Sequence, residues 1–187
     1  MEPIRAIEPA GPDAFDQVFA LMDAAFPDSE MRTYTGQQAL FGIPFYRLYV
    51  HREAQERIAA FLAAWEFENF RFVEHIAVDE SLRGGGIGAA MLCDFAAQDS
   101  RPIVLEVEPP ETDIAQRRIG FYKRLGFALN LYSYEQPPLR NGQSALPLLV
   151  MSYPHALSKA EFEQYKDVLY REVYGCIESE PPAKPEV

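Results

Sequence analysis

The chain has 187 residues, 48% of them hydrophobic and 13% aromatic, enough apolar material for one globular domain with a real core and too much for wholesale disorder. With 28 acidic residues against 17 basic ones, a formal net charge of −11 and no long basic run, the chain excludes a nucleic-acid backbone as expected partner and leans toward a cationic small molecule or peptide. Two cysteines make neither a disulfide framework nor a metal site, no stretch reaches about 18 apolar residues, and Met1 to Asp13 lacks the basic flank and apolar run of a secretory signal, so the expectation is a soluble cytoplasmic protein with no membrane partner.

Phe15, Val18, Phe19, Met22 and Phe26 recur at helical steps after Gly11-Pro12-Asp13 and predict an amphipathic helix stopped by Pro27. A short second helix is expected around Gln37 to Phe41. Arg47 to His51 and Ile58 to Phe67 are rich in Tyr, Val, Ile, Phe and Trp and predict a hairpin around the polar break Arg52 to Arg57. A strand follows at Phe70 to Val78, then the turn Asp79 to Arg83, then the cluster Gly84-Gly85-Gly86-Ile87-Gly88. Ala89, Met91, Leu92, Phe95 and Ala96 fall on one side of the next helix, which runs out near Gln98 and takes Cys93 as a small core residue. Ile103 to Val107 reads as a strand broken by Pro109-Pro110. Ile114, Arg118, Phe121, Tyr122 and Leu125 mark a further helix that Gly126 ends in the C′ position. Two more strands, Ala128 to Tyr134 and Leu146 to Tyr153, are joined by the loop Glu135 to Ala145.

Ser158-Lys159-Ala160-Glu161 is a capping-box pattern ahead of Phe162, Tyr165, Leu169 and Val173 at helical spacing. The apolar stripe of this helix must dock on the domain or on a second subunit, which would make a homodimer. The division expected is a domain over 1–153, a helical extension over 154–176, and a loose, proline- and acid-rich tail over 177–187.

Four glycines in five residues between a strand and a helix put bare backbone N–H groups at a helix N-terminus, where an anion such as phosphate is stabilised; the plainer reading is a flexible turn. A Walker loop would need Lys and then Ser or Thr, but Gly88 is followed by Ala89-Ala90. A dinucleotide fingerprint can be laid on Gly84, Gly86 and Ala89, with Glu106 or Glu108 downstream for a ribose. It would start directly off the strand in an early parallel unit, whereas here Asp79 to Arg83 intervene and a helix and a hairpin come first.

Arg83-Gly84-Gly85-Gly86-Ile87-Gly88 resembles the Arg/Gln-x-x-Gly-x-Gly/Ala signature of the Gcn5-related N-acetyltransferase (GNAT) family. The upstream strand His75-Ile76-Ala77-Val78-Asp79-Glu80 and the downstream Gly120-Phe121-Tyr122-Lys123-Arg124-Leu125-Gly126-Phe127 are similar to the family's segments on either side of that loop. One departure is Ala115, where many members carry an Asn that contacts the cofactor. The resemblance implies an α/β, mixed α+β fold: a central mixed sheet of six to seven strands with helices on both faces, plus the additional C-terminal helix. It also implies transfer of an acetyl group from acetyl-CoA to the primary amine of a small molecule or peptide. Arg83, Gly84, Gly85, Gly86, Ile87, Gly88 and Ala89 would hold the pyrophosphate, and backbone groups of Ile76, Ala77 and Val78 the pantetheine arm.

Such a reaction needs a base for the attacking amine and a proton donor for the departing sulfur. Tyr122 occupies the family position of the donor, and a phenol stays protonated at neutral pH. Two carboxylates compete for the base, Glu74 and Glu106, either of which could equally be a surface strand carboxylate. Strict alternation puts Glu74 on the face of Ile76 and Val78, and His75 opposite in a structural position. Met31 to Phe41 and Gln136 to Ala145 are the expected acceptor walls. Arg117, Arg118, Lys123 and Arg124 form a basic cluster that could attract cofactor phosphates or be a solvated helix face. No metal is expected, because the three histidines lack partners at ligand spacing. A non-catalytic acyl-CoA sensor and a dinucleotide-dependent oxidoreductase are the alternatives.

Overall fold

The computed structural model describes residues 7–175. Seven strands, β1 (Glu8–Ala10), β2 (Tyr46–Arg52), β3 (Ile58–Glu66), β4 (Arg71–Val78), β5 (Ile103–Val107), β6 (Ala128–Gln136) and β7 (Leu146–Tyr153), form one sheet in the order β1-β2-β3-β4-β5-β7-β6. Every neighbouring pair is antiparallel except β4 and β5, which run parallel, so the sheet is mixed as expected. Among the described residues there are five α-helices, α1 (Phe15–Ala25), α2 (Tyr34–Ala39), α3 (Ile87–Ala96), α4 (Asp113–Arg124) and α5 (Lys159–Val168), besides short 3-10 turns. Three-residue β1 is a strand that the sequence pattern does not announce. Pro9 sits in it without penalty to the sheet, because an edge strand tolerates a missing donor.

The core is divided by the sheet. Along β3, Phe61, Ala63 and Trp65 alternate onto one side and Ala60, Leu62 and Ala64 onto the other, and both sets are almost fully buried. Val18 and Met22 of α1 and Phe162 and Tyr165 of α5 cover the first side; Met91, Leu92 and Phe95 of α3 and Ile119 and Tyr122 of α4 cover the second. Alanines on β3 leave room for helices to approach both faces. The capping box of Ser158 and Glu161 starts α5, and Tyr165 stacks on Phe70 at 4.2 Å, so the apolar stripe of this helix is buried within its own chain. A five-residue π-turn, Leu169–Val173, extends α5. Gly126, at φ +91°, lets the chain leave α4 with the Phe127 amide bonded to the Tyr122 carbonyl at 3.1 Å, the helix-ending arrangement its sequence predicts.

Two expectations are corrected by the packing. Ala63 pairs with His75 but Ala64 pairs with Val73, which leaves Glu74 as an extra, bulged residue on β4. Glu74 is thereby turned to the side of Trp65 and α1, away from Ile76 and the α3–α4 side, and His75 shares that layer through its edge contact with Phe26. Cys93 is exposed, because Met91, Leu92 and Phe95 occupy the buried face of α3. Cys176, the first six residues and the tail after Gly175 lie outside the described residues. Among the described residues no helix is long and apolar enough to cross a membrane.

A buried arginine positions α3. Arg71, 1% exposed, donates to the carbonyls of Phe95 at 2.5 Å, Asp99 at 3.2 Å and Arg101 at 3.1 Å, while its guanidinium lies 4.6 Å from the Phe95 ring centroid. The Phe95 carbonyl is at the C-terminus of α3, where carbonyls lack intrahelical donors and a cation complements the dipole, and those of Asp99 and Arg101 belong to the loop that follows. Arg71→Leu is expected to lower unfolding free energy by about 3 kcal/mol, read from urea melts, since several half-buried acceptors lose their donor at once.

Candidate active site

Parallel pairing between β4 and β5 covers only Arg71–Ile103, Phe72–Val104 and Val73–Leu105. Beyond that point a cleft of about 390 Å³ lies between the second half of β4 and the end of β5. Its walls include Glu74, His75, Ile76, Ala77 and Val78 from β4, Leu105 to Glu108, Arg118 and Tyr122 from α4, and Tyr174 from the C-terminal turn. Arg83 lies at its edge. Glu74, Glu106 and Tyr122, far apart in sequence, therefore face one cavity. Of the expected acceptor walls, Gln136 and Leu139 contribute, but nothing from Met31 to Phe41 does; Ala25, Phe26 and Glu30 take that place, and Met31 is buried in the core.

The glycine cluster adjoins this cleft. Asp79 shapes the turn that leads into it by accepting from the Ser81 amide at 2.9 Å and the Ser81 hydroxyl at 2.6 Å. Gly84 and Gly86 have φ of +87° and +83°, a region that only glycine enters without strain, and Gly86 is the N-cap of α3. Ala90 makes the first helical bond, to the Gly86 carbonyl at 2.9 Å. The amides of Ile87, Gly88 and Ala89 are thus the unpaired first N–H groups of a helix, with Gly84, Gly85 and Gly86 exposed in front of them. A Cβ added at Gly84 or Gly86 would meet nothing within 4 Å, so the space before the helix is open, as a phosphate group requires. Arg83 is exposed and reaches back to the Val78 carbonyl at 3.3 Å.

The two carboxylates have different surroundings. Glu74 is ion-paired with Arg32 at 2.5 Å and accepts from the Trp65 indole at 2.8 Å, with its side chain 3% exposed. Burial alone would raise its proton affinity, but Arg32, His75 and the two hydrogen bonds outweigh burial and hold it below the usual carboxylate range. Among the described residues no cation is paired with Glu106. Both its oxygens lie 2.8 Å from the Tyr174 hydroxyl, and one also accepts from Tyr134. Burial pushes Glu106 up to about 7, against the lowering effect of these two phenols. Glu30 is raised too, by burial and by the nearby Glu108. Tyr122 is buried, which raises its phenol above the ordinary value, with Arg118 acting slightly the other way. His75 donates from Nε2 to the Glu30 carbonyl at 2.7 Å, and burial lowers its proton affinity. Of the basic cluster only Arg118 lines the cleft, paired with Glu108 at 3.3 Å. Among the described residues no group of three or more His, Cys, Asp and Glu is arranged to hold a metal.

Glu30, Arg32, Tyr134 and Tyr174 belong to no sequence motif that would single them out, and Tyr174 sits one residue off the apolar stripe of its helix.

A family model described as "Acetyltransferase (GNAT) domain" matches residues 44–129, from before β2 into β6. A solved structure from Bacteroides thetaiotaomicron, assigned to the acetyltransferases of the GNAT family, superposes with a TM-score of 0.84 at 30% identity, covering 91% of this chain and 99% of that one. The chain belongs to the GNAT family. Acetyl transfer from acetyl-CoA is the general chemistry of GNAT proteins. YjbC of Bacillus subtilis (strain 168), assigned as an acetyltransferase, is 32% identical over 104 residues, 54% of this chain; the match spans about half of that relative's length, 52%. Arabidopsis thaliana NAA60, crystallised with acetyl-CoA, shares the fold at a TM-score of 0.61 and 17% identity, over 79% of this chain and 96% of its own.

Glu106 binds its proton more tightly when folded than when unfolded, so its contribution to stability is fully present below about pH 4.5 and is lost as pH rises through about 7. Glu106→Gln, which cannot ionise, removes that dependence. Denaturant melts are expected to show the variant gaining about 2–3 kcal/mol on the wild type between about pH 5 and pH 8; parallel stability curves would contradict the assignment.

Proposed function

We propose that this GNAT protein is an N-acetyltransferase that moves an acetyl group from acetyl-CoA to the primary amine of a small molecule or peptide by direct attack, with Tyr122 as proton donor and Glu106 as base. The observation that carries this reading is the shared cleft at the divergence of β4 and β5. It joins an uncharged phenol and a carboxylate of near-neutral proton affinity to an open helix N-terminus. Acetyl-CoA, when bound, supplies a thioester and a diphosphate. The amides of Gly86, Ile87, Gly88 and Ala89 and the charge of Arg83 fit the diphosphate. Past Val73, β4 has no β5 neighbour, so the backbone groups of Ile76 and Val78, which alternate away from β3, are directed toward an elongated amide-bearing chain, while those of Ala77 are directed at Phe61 of β3 and the Val78 carbonyl also holds Arg83.

The division of labour follows from the surroundings of each side chain. Glu106, with a proton affinity near the working pH, is matched to taking a proton from an ammonium group. Glu74 is locked to Arg32 and Trp65 and held ionised at low proton affinity, so it organises the wall instead of accepting a proton. Tyr122 keeps its proton and can give it to the leaving sulfur. Glu30 and Glu106 line the cleft with no ion-paired cation among the described residues, whereas Glu108 is paired with Arg118, and ionisation of Glu30 and Glu106 favours an amine that arrives as a cation.

Calorimetry against acetyl-CoA, followed by thiol release with a panel of primary amines, tests the reading. Binding with thiol release supports it. Binding without release from any amine makes the protein an acyl-CoA sensor, and no binding rejects both. Tyr122→Phe is expected to lower turnover about 100-fold while acetyl-CoA affinity stays nearly constant. Gly86→Val should instead weaken acetyl-CoA binding about tenfold or more, because a branched side chain is strained at this φ and fills the space before the helix. Equal affinity would remove the loop from its role.

A further inference from the structure

The C-terminal turn reaches into the cleft through contacts that the transfer reading alone does not require. The Tyr174 amide bonds to the Leu169 carbonyl, five residues back, at 3.1 Å, which is π-helical spacing. One extra residue in the turn rotates the residues after it relative to an α-helix, and such turns recur at functional sites. Here the rotation leaves Val173 in the apolar core and places the Tyr174 hydroxyl 2.8 Å from both oxygens of Glu106. The Val173 carbonyl accepts from Arg32 at 2.7 Å, and the other arm of that guanidinium holds Glu74. Tyr170, one turn earlier, anchors the segment to the Glu135 carbonyl at 2.6 Å. The same turn thus touches two carboxylates of the cleft, Glu106 directly and Glu74 through Arg32.

We propose that Tyr174 is a positioning residue: together with Tyr134 of β6 it holds the Glu106 carboxylate, oriented and ionised, at the acceptor end of the cleft. This rests on the reading of Glu106 as base. Two phenolic donors are the groups that hydrogen-bond this carboxylate, and they stabilise its charged form without neutralising it, as a paired arginine would. The other groups around it are Glu74 and His75 from β4, Arg32 and Glu30 from the segment before α2, Glu108 from the end of β5, and Arg118 and Tyr122 from α4. Arg32 is committed to Glu74 and Arg118 to Glu108. Glu74 and Glu30 oppose ionisation of Glu106, as burial does, while the phenols favour it. With one phenol removed, the carboxylate should hold its proton more tightly and be a base only at higher pH.

Carbon NMR of the full chain, labelled at its glutamate carboxyl carbons, tests this without needing an acceptor. The resonance that disappears in Glu106→Gln is followed across pH. Tyr174→Phe, which keeps the ring and deletes only the hydroxyl, is expected to raise its titration midpoint by about one unit. Fluorotyrosine at position 174, an isosteric and stronger donor, should lower it and guards against a Phe variant that fails to fold. A midpoint unmoved in either protein overturns the proposal. Where an acceptor supports turnover, the acid limb of kcat/KM should shift by the same amount in Tyr174→Phe and recover at high pH, which a merely structural loss would not do. Full transfer activity in Glu106→Gln would overturn the base assignment itself, and the NMR midpoints would still report whether Tyr174 governs that carboxylate.

Discussion

The parting of β4 from β5 after the Val73–Leu105 pair is the constraint on which the remaining features depend. A parallel pair that continued would satisfy its own backbone groups and close the sheet. A pair that stops after three registers leaves one edge of β4 unused in the middle of a covered sheet, where neither β3 nor a helix can fill it. Unpaired buried backbone is costly, so such an opening persists only where solvent or a ligand can supply partners. The bulge at Glu74 falls at this point and changes which face the following residues present. Arg32 and Trp65 fix the bulged side chain in place, and the glycine turn stands at the far end of the opening.

The cleft separates two carboxylates by what each is given. Glu74 receives a guanidinium and an indole N–H and stays charged; Glu106 receives two phenols and sits near neutrality. Charge compensation and hydrogen bonding without compensation lead to different proton affinities at similar depth, which is how one cavity can hold a fixed structural anion beside a titrating group. Tyr122 adds a phenol to the same cleft, neutral by its own chemistry and with its proton affinity raised further by burial.

Much of this was legible in the chain. Apolar spacing placed α1, α3, α4 and α5 within a few residues, because each has a stripe that only one face can bury. The capping box at Ser158 and the C′ glycine at 126 marked two helix ends through local backbone chemistry alone. Gly84 and Gly86 could be singled out because a turn into a helix N-terminus with positive φ needs glycine, and the flanking segments carried the family resemblance. β1 was missed since three residues carry no period, and Cys93 was misplaced since a helix rich in small residues gives a weak orientation signal. The face assignment of Glu74 failed for a definite reason: alternation assumes an unbroken ladder, and a single inserted residue inverts everything on one side of it.

Local pattern in the chain was enough for most helices and strands, for the glycine turn ahead of α3, and for the chemical eligibility of Tyr122, Glu74 and Glu106, because these properties depend on neighbours a few residues away. The different proton affinities of these two glutamates arise in the folded chain alone. Arg32 meets Glu74 across 42 positions and Tyr174 meets Glu106 across 68, and proton affinity depends on burial and on partners brought together by the sheet. No local pattern encodes such distances, since the bulge, the strand divergence and the π-turn are settled by packing on both faces of the sheet at once.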